Sequence, residues 1–147
     1  MHNIETLNEF LKDELSATET YGQALDKLRE DAKLGKSEDL LPIYEDHKDA
    51  VSSLQALITR LGGTPCEDSG AWGAWAKIVQ GGANLLGKEV ALKSLQSGEK
   101  SGAEAYEEAL QDTELDSEIH SLIETKLLPA QQAHIRILDR LLGAETD

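Results

Sequence analysis

Apolar residues recur at steps of three and four in four stretches of the chain, the spacing that lays one face of a helix against a core. In the first stretch Ile4, Leu7, Leu11, Tyr21, Leu25 and Leu28 share a stripe with Glu14 and Thr18. In the second the stripe is Leu40, Tyr44, His47, Val51, Leu54, Ile58 and Leu61, with Ser37 as N-cap and Glu38 and Asp39 in the first turn. The third carries Leu85, Leu92, Leu95, Glu99, Gly102, Tyr106 and Ala109, with Leu110 beside it, and the fourth Ile123, Leu127, Ala130, His134, Ile137 and Leu141. These patterns predict helices over roughly 3–32, 38–61, 84–111 and 115–142. No strand-like alternation bounded by turn residues is present.

Gly62-Gly63 and Pro65 close the second helix, and Gly143 is the expected stop of the fourth. Pro129 should bend or interrupt the fourth helix, whereas Pro42 either does the same in the second or marks its start. Residues 62–83, with Cys66, Trp72, Trp75 and Gly81-Gly82, are too many for a hairpin turn. They suit a crossover between the ends of a bundle, the two tryptophans covering core or meeting another copy in a homodimer. The fold expected over residues 1–147 is therefore a single all-α domain, two antiparallel helical hairpins joined by a long crossover.

Four polar residues stand on otherwise apolar stripes, and they come in pairs. ELSATETYGQAL at 14–25 and EKSGAEAYEEAL at 99–110 agree at six of twelve positions. Leu-Leu-Pro at 40–42 and again at 127–129 is followed each time, five residues after the proline, by His47 and His134. Two hairpins related by a pseudo-twofold axis would bring Glu14, Glu99, His47 and His134 together. A carboxylate in an apolar setting must be paired, protonated or bound to metal, and imidazole is the commonest neutral metal ligand, so the four are the candidate ligands. Tyr21 and Tyr106 follow their glutamates by two helical turns and can hydrogen-bond across the bundle to a carboxylate or histidine.

Composition narrows the partners. A net charge of −14 argues against a nucleic-acid partner; it is read first as a surface that keeps the protein soluble, with a raised local concentration of metal cations as the sharper alternative. No apolar run is long enough to span a membrane, no signal peptide is visible, and the single cysteine suits a reducing, cytoplasmic setting. Cys66 is read as a bystander, and His2 and His120 as structural.

ELSATETY at 14–21, LGGTP at 61–65, the tryptophan-bearing crossover and GEK with EAYEEAL at 98–110 resemble the ferritin-like superfamily. The likeness is to its small branch of uncharacterised bacterial four-helix bundles, and it covers nearly the whole chain. It implies that Glu14 and Glu99 match the terminal glutamates of the first and third helices, and His47 and His134 the histidines of Glu-x-x-His motifs. The bridging glutamates of that motif are replaced by Tyr44 and Gln131, which here join Tyr21 and Tyr106 as supporting positions. The resemblance implies iron, as one ion or two, with manganese or zinc as alternatives, and a weak oxidation of ferrous iron by oxygen or peroxide. Without bridges two ions are undercharged unless hydroxide or a nearby acid (Glu19, Glu45, Asp46 or Glu104) makes up the difference. The rival expectation is a non-catalytic helical interaction module that has lost its metal.

Overall fold

A computed structural model describes residues 2–30, 40–67 and 88–146 of the chain. Helix α1 spans His2–Glu30, α2 Leu41–Arg60 and α3 Lys88–Leu110. The fourth rod is composite: α4 (Ser117–Leu122), a π-helical turn (Ile123–Leu127) and α5 (Leu128–Thr146). The result is an all-α four-helix bundle. Ser37, Glu38, Asp39, Trp72, Trp75, Leu85 and most of the crossover lie outside the described residues.

Both hairpins are antiparallel. Down α1 the contacts climb α2 in reverse: Ile4 lies against Gly63, Glu14 bonds His47, and Gly22 packs on Tyr44. In the second hairpin Gln96 bonds Asp139, Glu99 faces His134, and Gly102 lies under Gln131. The end of α2 shows why its glycines are there. Gly63 N–H reaches Ile58 O at 2.9 Å and Gly62 N–H reaches Thr59 O at 3.0 Å, a Schellman closure that requires the left-handed φ of 91° at Gly62.

Pro42 falls in the first turn of α2, where its missing N–H costs no helical bond, so it marks the start of the described helix and does not kink it. Pro129 does interrupt. It cannot donate to the carbonyl of Thr125, and the rod widens by one residue just before it, Leu128 N–H bonding Ile123 O. Two sequence expectations for this rod need correction. It begins at Ser117, because Asp116 is the cap and accepts Glu118 N–H at 2.8 Å. It also runs through Gly143 to Thr146, since a glycine ends a helix only by turning to positive φ, and among the described residues Gly62 alone does so.

The buried side chains form two apolar layers. One holds Leu7, Phe10, Leu11, Leu54, Ile58, Ile119 and Ile123, and the other Leu25, Leu40, Ile43, Leu92, Leu95 and Leu138. Each fully buried aliphatic chain contributes about 1.5–3 kcal/mol. These layers hold the rods in register, and the polar stripe residues meet between them.

Candidate metal centre

Glu14, His47, Glu99 and His134 are all buried, with exposures of 4, 2, 0 and 2%. Each rod supplies one of them, and they touch. His47 lies at the centre: its Nδ1 is 2.5 Å from Glu14 Oε2 and its Nε2 2.6 Å from Glu99 Oε1. His134 Nδ1 is 3.3 Å from Glu99 Oε2, and the two imidazole centroids are 4.9 Å apart. Donor atoms of His47, Glu99 and His134 lie within 4.8 Å of one another, a grouping that does not include Glu14.

The tyrosines tie the duplicated halves together. Tyr21 Oη donates to Glu99 Oε1 at 2.8 Å and Tyr106 Oη donates to Glu14 Oε1 at 2.5 Å, so each hydroxyl serves the carboxylate of the other hairpin. Tyr21 stacks on His47 at 5.3 Å, and Phe10 packs on Tyr106 at 4.9 Å. Gln131 enters the cluster by its amide, donating to the main-chain carbonyl of Glu99 at 3.2 Å. Tyr44 sits apart, half-buried against Gly22 with the Lys48 ammonium 5.2 Å from its ring centroid. Glu19, Glu45 and Glu104 are exposed.

The electrostatics follow from the pairing. Burial works against a charged His47, yet the carboxylates of Glu14 and Glu99 outweigh it and raise the imidazole to about 10. Burial likewise opposes ionisation of Glu99, but His47 and His134 prevail and hold that carboxyl down at about 2. Without an ion, His47 is thus an imidazolium clamped between two carboxylates, with a charge-assisted hydrogen bond to each. Burial, reinforced by the adjacent carboxylates, pushes both tyrosine hydroxyls up, so they remain donors.

One contact was not legible in the stripes. Asp46, 53% exposed, places Oδ2 2.8 Å from His134 Nε2. It precedes His47 by one residue and is therefore turned about 100° from it, and only the packing of α2 on α5 shows that it faces the other histidine. The second hairpin has Ala133 at the equivalent place, so the twofold is broken here. His2 and His120, read as structural, both find partners at Asp112: His2 Nε2 lies 2.7 Å from its Oδ2 and His120 Nε2 lies 2.8 Å from its main-chain oxygen.

Gly102 lets Gln131 in. A Cβ at Gly102 would come 2.3 Å from Gln131 Nε2. Gly102→Ala therefore displaces a buried amide and is expected to lower stability by about 1 kcal/mol, overpacking outweighing the gain in helix propensity. In a Gln131→Ala background the same change should stabilise by a similar amount. Urea denaturation of the four proteins checks the reversal of sign, and destabilisation in both backgrounds would contradict the contact.

A family described as "Domain of unknown function (DUF2383)" matches residues 2–112, which include Glu14, His47 and Glu99 but end before His134. No curated protein matches, and no solved structure matches.

Proposed function

We propose a function for this chain, which belongs to the DUF2383 family: a ferritin-like metal-binding protein that holds one divalent transition ion, iron by resemblance, inside the bundle. The observation that carries this reading is the arrangement of the two histidines around Glu99. Each turns one nitrogen toward Glu99 and gives the other to a different carboxylate, His47 to Glu14 and His134 to Asp46. A carboxylate behind each histidine is the usual support of a metal-binding imidazole, because it fixes the tautomer and raises the basicity of the nitrogen that faces the ion.

The donor chemistry fits. Two imidazoles and one carboxylate make the set that holds ferrous iron with open positions, and zinc accepts the same set. On this reading His47, Glu99 and His134 hold the ion and Glu14 and Asp46 orient the histidines. Tyr106 positions Glu14 and Tyr21 positions Glu99. Three carboxyl groups around two imidazoles favour a cation, while Tyr44 and Gln131, at the places of the bridging acids, supply no charge for a second one. When bound, iron would supply the open positions at which a small oxidant such as oxygen or peroxide could react. The chain's own part is to shed the His47 proton and to keep the tyrosine hydroxyls protonated beside the carboxylates.

The rival is a metal-free helical module, and a specific observation favours it: both nitrogens of His47 and both tyrosine hydroxyls already have partners. Elemental analysis of untagged protein separates the two. Stoichiometric iron, manganese or zinc, lost in a His47→Ala/His134→Ala variant and accompanied by a melting temperature that falls on chelation, is expected. A metal-free protein that takes up no added ion and melts alike with and without chelator would leave only the interaction module.

A further inference from the structure

Among the described residues, two cavities reach the cluster. That between α1 and α3, beside Phe10, Asp13, Ala17, Gly102 and Ala105, is about 10 Å³, room for one water at most. The other opens between α2 and the fourth rod, has about 90 Å³, and is bordered by Glu14, His47 and His134 within and by Asp46, Asp49 and Lys126 outside. It admits several waters, and it alone of the two is wide enough for an ion that keeps part of its hydration.

From this we infer that the cleft between α2 and the fourth rod is the route by which a divalent cation enters, with Asp46 and Asp49 as its acidic mouth and Lys126 as a cationic bar across it. The inference rests on the proposed metal site and adds how that site is reached. Lys126 projects from the π-helical turn and is anchored on α2, its Nζ 2.8 Å from Asp49 Oδ2 and 2.6 Å from Ser53 Oγ. The pair is solvent-exposed, with side-chain exposures of 41% for Lys126 and 63% for Asp49, so it opens at little cost. Asp46 comes next inward and already touches His134. The duplicated half has no such mouth: four and seven residues after Pro42 stand Asp46 and Asp49, but four and seven after Pro129 stand Ala133 and Arg136.

A bar on the route acts on entry and exit alike, which separates it from a ligand. Stopped-flow mixing of the metal-free protein with Co²⁺, followed by the visible absorption of the bound ion, reads both rates. Lys126→Met is expected to raise the association rate about threefold to tenfold at low ionic strength, to raise dissociation in parallel, and to leave the dissociation constant nearly unchanged. Asp49→Asn should slow association by a comparable factor, and both effects should shrink as salt is added. Asp49 is exposed and Lys126 half-buried, and unchanged melting curves verify the fold. If wild type binds Co²⁺ but neither substitution changes the association rate, or if Asp13→Asn on the opposite cavity slows it instead, the route is wrong and the metal site stands. If wild type binds no Co²⁺, the metal site falls and the route with it.

Discussion

Glu99→Ala is expected to destabilise the metal-stripped protein by about 3–5 kcal/mol, a large part of the stability of a domain of this size. Glu99 is fully buried and accepts from Tyr21, His47 and His134 at 2.8, 2.6 and 3.3 Å. Removing it leaves a buried hydroxyl without its acceptor and an imidazolium with half its counter-charge. Glu99→Gln keeps the shape and an acceptor but not the charge, so it should fall between alanine and wild type. Asp46→Ala, at a half-exposed position, should cost less than about 1 kcal/mol while still weakening metal binding. Urea midpoints for the three variants give the ranking. A Glu99→Ala loss no larger than that of Asp46→Ala would mean that the buried pairing is not formed in solution.

The second large effect is on pH dependence, again without metal. His47 has a folded value raised to about 10 by the carboxylates that overcome its burial, so its contribution is complete below the ordinary imidazole value of 6.5 and is lost as pH rises from there through 10. Glu99 is held at about 2 by the histidines despite its burial, so its contribution is complete above the ordinary value of 4.5 and is lost as pH falls from there through 2. Both describe one ion-paired cluster and are not summed. Stability should be greatest between pH 4.5 and 6.5. It should decline on both sides, on the alkaline limb by several kcal/mol at the fullest extent. Denaturant titrations across pH 3–9 at roughly fixed ionic strength check this. In His47→Leu the alkaline decline should disappear, and a decline that persists there would assign it to another group.

The architecture was legible because heptad-like spacing constrains which faces can be buried. Leu7, Leu11, Leu54, Ile58, Leu92, Leu95 and Ile123 all lie in the core where their spacing puts them. The convergence of Glu14, His47, Glu99 and His134 was legible for a different reason: repetition made four unfavourable burials improbable as coincidence. Contacts set by the approach of one rod to another were not. Asp46 on His134 and Lys126 on Asp49 depend on how far the fourth rod is turned by its π-helical residue, and local sequence carries no measure of that rotation. Gly143 misled because glycine permits a helix stop without imposing one.

The exchange of hydroxyls between the hairpins has a consequence for how the molecule holds together. Tyr21 serves an acid from the C-terminal half and Tyr106 one from the N-terminal half, so neither half can complete its own interior alone. The two hairpins are therefore expected to unfold together, in one cooperative transition, with neither half stable as a separate subdomain.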